Sequence, residues 1–242
     1  MDIKQFSEDS LTIYLGDTVD VETNQKLMIL KSIIESWNFH GIYEIVPSYT
    51  SLTIHYNLLE TDVTKLKEKL GEVDTALLDI SELSYKVVEI PVCYGGDYGP
   101  DIERFVTDEF TEDDLIHLHA GREYHIFMLG FMPGFPFLGG LDEKLYKERL
   151  DNPRTKIPGG SVGIGGEQTG VYPFDSPGGW NIIGRTPVPL YDNNRSEPIL
   201  YEAGDRIVFR SISEEEYDTI VEAYNNGVYK AKVTKRGSNN DN

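Results

Sequence analysis

The sequence predicts an α+β protein of two domains, an N-terminal α/β domain with a ferredoxin-like β-α-β-β-α-β order followed by a β-barrel or sandwich. Three observations carry this. Strand-like and helix-like segments alternate through residues 1–88. Beyond them Gly and Pro become dense, with most of the 23 glycines and 12 prolines falling between Gly95 and Gly204. The segments between those residues are short, apolar and bounded by turn pairs, the texture of barrels and sandwiches.

Taken in order, 11–15 (LTIYL) reads as a strand and 24–37 as a helix, because Leu27, Leu30, Ile34 and Trp37 recur at helical spacing. Segments 42–46 and 52–56 read as strands either side of the turn-prone Pro47-Ser48. In the second of them Leu52, Ile54 and Tyr56 share one face, and Thr53 and His55 the other. A second helix is expected over 61–70, with Val63, Leu66 and Leu70 on one stripe and Gly71 closing it. A strand at 85–90 completes the ferredoxin-like order. In the barrel domain, 100–110 is expected to be helical with Pro100 in its first turn. Ser213-x-x-Glu216 is a capping box opening a helix that runs to about residue 224. The expected boundaries are 1–88, 89–225 and a loose polar tail at 226–242 ending in KRGSNNDN.

Of the 242 residues, 39% are hydrophobic and 26% charged, the balance of an ordinary folded domain. Twenty-two basic against 41 acidic residues leave a net charge of −19. That argues against nucleic acid and against an anionic membrane as partners, since both are bound through clustered Lys and Arg. No apolar run approaches the roughly 20 residues of a membrane-spanning helix, and MDIKQFSEDS lacks a signal-peptide start. The expected location is therefore cytoplasmic. Cys93 is the single cysteine, which excludes an intramolecular disulfide and an all-cysteine zinc site. Its segment, IPVCY, reads as inert core.

Three Gly/Pro-rich blocks dominate the second half: GFMPGFPFLGGL, NPRTKIPGGSVGIGG and QTGVYPFDSPGGWNIIGRT. No Gly-Lys pair followed by Ser or Thr occurs, so a Walker A phosphate loop is absent and no cofactor is expected on this chain alone. One reading of the blocks is geometric, glycines and prolines turning barrel corners around core aromatics. The other is a pocket walled by Phe131, Phe135, Phe137, Tyr172 and Trp180, with Arg154, Gln168 and Arg185 as convergent polar groups. A guanidinium fork suits a carboxylate. His117 and His119 would share a face only on a strand, and no third ligand is evident, so no metal is expected. His119 is then either a hydrogen-bonding site group or a satisfied structural histidine. Ser161 follows Gly-Gly, but PGGSVGI is not the G-x-S-x-G nucleophile elbow. No self-sufficient hydrolase is visible, and no residue is assigned a catalytic role.

GFMPGFPFLGG, PRTKIPGGSVGIGGEQTGVYP and SPGGWNIIGRTP, with EIVPSYTSLTIHYN and PVCYGGDYGPDIE upstream, resemble the family that groups the 5-oxoprolinase B subunit, the kinase inhibitor KipI and allophanate hydrolase subunit 1. The resemblance runs from about residue 10 to residue 220. It implies that the barrel is cyclophilin-like, and that the chain works with a larger C subunit, related to allophanate hydrolase subunit 2, and with an A subunit. Such a set opens 5-oxoproline to glutamate using ATP with Mg. Two alternatives come with the family: inhibition of a sporulation histidine kinase's autophosphorylation, and a carboxyltransferase-type role in urea or allophanate metabolism. The resemblance carries over His119, Phe131, Pro133, Gly134, Phe135, Arg154, Ser161, Gln168, Tyr172, Trp180 and Arg185 as substrate-binding or interface residues. The chain departs from the family's common pattern at Gly159, where Ala is frequent, and at Asn57, where Asp is frequent. Both changes conserve shape.

Overall fold

The computed structural model describes residues 1–237, which fall into two compact units. The first comprises Met1–Ser84 with Arg236 and Gly237 from the far end of the chain; the second is Tyr85–Lys235. The division thus falls at 84/85, ahead of the expected 88/89.

The first unit contains strands β1 (Asp2–Ser7) and β2 (Ser10–Tyr14), helix α1 (Val21–Ser36), strands β3 (Ile42–Pro47) and β4 (Ser51–Tyr56), and helix α2 (Val63–Gly71). Asp20 starts α1 by accepting the Thr23 N–H at 2.8 Å, and Asp62 caps α2 in the same way through Lys65. Leu27, Leu30 and Ile34 are buried along one face of α1, as their spacing predicts. In β4, Leu52, Ile54 and Tyr56 are wholly buried while Thr53 and His55 are half-exposed. The sheet is antiparallel in the order β1-β2-β4-β3.

That order corrects the ferredoxin-like expectation. Residues 85–90 do not close this sheet; the edge beside β2 is taken by β1, its hairpin neighbour in sequence. A two-residue hairpin closes with little loop entropy. The expected fourth strand is the start of β5 (Tyr85–Tyr94), which carries buried apolar residues on both faces, Val88, Ile90 and Val92 on one and Val87 and Cys93 on the other. A strand of that kind needs cover on two sides, and the second unit supplies it.

The second unit adds helix α3 (Glu112–Ala120), strands β6 (Glu123–Leu129), β7 (Pro136–Gly139), β8 (Arg154–Ile157), β9 (Ser161–Gly165), β10 (Gln168–Val171), β11 (Ser176–Gly178), β12 (Asn181–Arg185) and β13 (Arg206–Ser211), helix α4 (Glu214–Asn225) and strand β14 (Val233–Arg236). Neighbours run β12-β9-β10-β7-β6-β13-β5, and pairing of β12 with β5 closes these seven strands into a barrel that fits the cyclophilin-like expectation. β5 and β13 are parallel, the other barrel pairs antiparallel. Val88, Ile90, Val92, Val162, Ile164, Ile183, Ile207 and Phe209 belong to one buried cluster, placed there by alternation along their strands. Cys93 faces the other way, in a small cluster with Val188, Ile212 and Ile220, where burial raises its thiol pKa.

Three local expectations change. Residues 100–110 form only a 3-10 turn at Ile102–Arg104, because Asp101 is bound into the sheet through Ile182 instead of starting a helix. The helix lies after it: Thr111 and Asp114 make a reciprocal capping box that opens α3. The tail is not loose up to residue 236, since β14 lies beside β5; residues 238–242 of that expectation lie outside the described residues. No helix among the described residues is long and apolar enough to cross a membrane.

Candidate functional site

His119 sits inside the barrel, not in a pocket. Its side chain projects from α3 and is 0% exposed. Nδ1 lies 2.7 Å from the Tyr94 hydroxyl, Nε2 lies 2.8 Å from Thr169 Oγ1, and the ring stacks on Phe209 at 4.7 Å. Burial pushes its pKa down to about 3, so the ring is neutral and every polar atom on it is satisfied. This corrects its placement among the site residues: it is a structural histidine, and its hydroxyl neighbour Thr169 is equally sealed. His117, two residues away on the same helix, faces elsewhere. No group of three His, Cys, Asp or Glu residues that could hold a metal occurs among the described residues.

The aromatic residues do gather, but as a core. Phe135, Tyr172 and Trp180 are buried together with Ile157 and Ile182 on the outer face of the barrel, their rings edge-on at 5.6–6.1 Å. The glycines of GIGG and QTG make room for them. A Cβ on Gly165 would stand 2.4 Å from the Trp180 indole, so the indole lies flat on bare backbone there. The pocket expectation is corrected for these three residues: they fill their own space. Phe131 differs. It is 68% exposed, beside the exposed Pro133, and holds a left-handed φ of 66°. A non-glycine residue rarely adopts that conformation.

Arg154 is spent. Its guanidinium forks onto Asp101 with bonds of 2.8 and 2.7 Å, and Asp101 also accepts the Ile182 N–H at 2.7 Å. Asp101 is 5% exposed, so the pair ties β8 to the barrel wall and leaves no fork for a ligand. Its expected role as a carboxylate clamp is thereby replaced by a structural one. Gln168, at the start of β10, is half-buried and already has an interaction partner.

Ser161 and Arg185 are brought together. They face each other in register on β9 and β12. Directly opposed residues of an antiparallel pair place their Cβ atoms about 5 Å apart on the same face. Val162 and Ile164 point into the barrel, so Ser161 and with it Arg185 point outward. Ser161 is 0% exposed and its hydroxyl has no hydrogen-bond partner among the described residues; Arg185 Nε is likewise buried and unpartnered. Around them loops of the second and third Gly-rich blocks meet. Gly160, at φ 82°, lies against the Arg185 stem, and a Cβ there would come within 2.6 Å of the Thr186 carbonyl oxygen. The Gly159 N–H donates to Asp175 at 2.8 Å, and Lys156 pairs with the same carboxylate, holding its pKa below the usual range. Phe174 stacks obliquely on Tyr191 at 5.3 Å, and Gly134 packs beneath Tyr191.

Asp101, Phe174, Asp175 and Tyr191 are participants that the sequence reading missed. Tyr-Pro-Phe-Asp in the third block carried a usable signal, an aromatic and an acid in a Pro turn. Asp101 carried none, because its partner is 53 residues away.

Fold and site together define a barrel protein whose Gly- and Pro-rich loops form a rim on the barrel's outer face. The chain belongs to the family described as carboxyltransferase domain, subdomain C and D, whose model matches residues 1–201. It is 37% identical to the B subunit of 5-oxoprolinase from Bacillus subtilis over 92% of this chain and 98% of that protein. It is also 37% identical to the corresponding 5-oxoprolinase B subunit of Haemophilus influenzae, over 86% of this chain and 97% of that one. Among solved structures, TTHA0988 superposes with a TM-score of 0.73 at 31% identity, covering 84% of this chain. The chain spans only 40% of the TTHA0988 chain, which continues beyond it.

Proposed function

We propose that this chain is the B subunit of an ATP-dependent 5-oxoprolinase that hydrolyses 5-oxo-L-proline to L-glutamate. The observation that carries the reading is the end-to-end match to a protein of that name, 92% of this chain against 98% of the other. The chemistry is compatible. A lactam is a poor electrophile, and coupling its hydrolysis to that of ATP supplies the driving force; one water opens the ring C–N bond and a second ends on phosphate. This chain contributes no Walker A loop, so we assign ATP and Mg to its partners, the A and C subunits, and to this chain the handling of the lactam. Alone it is expected to be inactive. A second reading, carboxyl transfer to an amide-like acceptor, is favoured by the family description itself.

The test is reconstitution. ATP-dependent glutamate release from 5-oxoproline is measured with the chain added to the A and C subunits, and omitted from the control. Turnover only in its presence is the expected result. Turnover without it, or none when all components are intact, removes the reading and directs attention to carboxyl transfer and to histidine-kinase inhibition.

A further inference from the structure

The arginines of this acidic chain are mostly occupied. Arg122, Arg154, Arg206 and Arg210 each pair with a carboxylate, and Arg195 is bound by three backbone carbonyls. Arg185 is not. Among the described residues no salt bridge or hydrogen bond engages its guanidinium, although the chain holds 41 acidic residues against 22 basic ones. Asp175, an acid that feels the Arg185 charge, is held by Lys156 and the Gly159 N–H instead. The Tyr98 ring lies 5.9 Å from the guanidinium carbon and flanks it without hydrogen bonding. Arg185 is half-buried, with Nε sealed, so its exposed part is toward the terminal amino groups.

An unpaired buried hydroxyl and an unpaired guanidinium Nε, opposed on neighbouring strands, are each costly, because a buried polar group without a partner forfeits its hydration. Natural sequences rarely keep two such groups side by side unless something else completes them. Loops bearing Gly159, Gly160 and Phe174 crowd this position, and Gly160 has a backbone that no other residue adopts comfortably. What is missing is a planar anion with two acceptor oxygens, one for the guanidinium fork and one within reach of a hydroxyl.

We infer that Arg185, with Ser161 as its positioning neighbour, forms a recognition site for a small carboxylate, and, resting on the reading above, that its occupant is the carboxylate of 5-oxo-L-proline rather than its lactam. The lactam ring then lies toward the Phe174–Tyr191 side of the rim. Engagement requires the Arg185 stem to turn, because Nε and the Ser161 hydroxyl are covered in the resting structure.

The test uses the full ¹⁵N-labelled chain and follows the Arg185 Nε–Hε resonance, identified by its loss in Arg185→Gln. Titration with 5-oxo-L-proline is expected to shift that resonance saturably. 2-Pyrrolidinone, the same lactam without its carboxylate, is expected to leave it in place, as is chloride. Arg185→Gln should weaken binding by roughly tenfold or more, Arg185→Lys should recover part of it, and Ser161→Ala should weaken it by a few-fold, on the scale of charge-assisted and neutral hydrogen bonds. An unmoved resonance, an equal response to 2-pyrrolidinone or chloride, or unchanged affinity in Arg185→Gln overturns the site. In the reconstituted complex, Arg185→Gln should raise KM for 5-oxoproline and leave KM for ATP alone. Wild-type turnover with an unchanged KM in that variant sinks the site but keeps the enzyme reading. Carboxylate binding at Arg185 without any turnover sinks the enzyme reading but keeps the site.

Discussion

The inside of the barrel and its outer face bury polar groups on different terms. Inside, His119 reaches Tyr94 on one side and Thr169 on the other, and Tyr124 donates to the His119 carbonyl, so the network closes on itself. On the outer face, Ser161 and Arg185 Nε are as deeply covered and close nothing. A complete network in a low-dielectric interior rigidifies and specifies the fold, whereas an incomplete one stores a cost that a ligand can remove. Histidine in a turn-rich, aromatic-rich protein invites a functional assignment; here the histidine is structural and the unpaired arginine is the better candidate.

The comparison can be broken at three points. The largest effect is expected at Arg154, which belongs with the completed networks. Arg154→Ala leaves Asp101 buried with the Ile182 N–H as its remaining side-chain bond, and unfolding in urea should show a loss of about 3 kcal/mol, on the scale of a broken buried pair after discounting the partial exposure of Arg154. Native stability in that variant would return Arg154 to the list of free site groups.

Next is pH. The folded pKa of His119 is about 3 against about 6.5 unfolded, so the unfolded chain binds the extra proton first as pH falls. Stability from this group is complete above pH 6.5 and declines as pH drops toward 3. Lowering pH from 7 to 5 should remove roughly 2 kcal/mol. His125, pushed down to about 4 by burial, adds in the same direction. The direct check is the ring Cε1–H shift of His119, which should stay flat from pH 7 to pH 4.5; a midpoint near 6.5 would mean that the barrel interior is open to water.

The smallest effect is the one that separates the two regions. Ser161→Ala removes a buried hydroxyl that bonds to nothing in the fold, so it should leave stability unchanged or raise it by about 1 kcal/mol, and Arg185→Gln should not lower it. A loss of more than about 1 kcal/mol in Ser161→Ala would show the hydroxyl to be structural after all.

Periodicity and punctuation alone determined much of this molecule. Leu52, Ile54 and Tyr56 alternate inward, Leu27, Leu30 and Ile34 line one helix face, and dense Gly and Pro announced a β-barrel or sandwich, because each of these depends on contacts within a few residues. The rim's location was also legible, since the turns that build it are Gly- and Pro-coded. Which rim residues remain available was not. Strand 85–90 reads as the last strand of the first domain, and only its pairing with β13 and β12, as part of β5, places it in the barrel. Arg154 and Arg185 look alike in sequence, two arginines in Gly-rich strands. One meets Asp101, 53 residues away, and the other meets a serine that cannot accept its charge. Charge pairing over such separations is set by how the strands close, and the tertiary structure alone settles which guanidinium is left to bind something else.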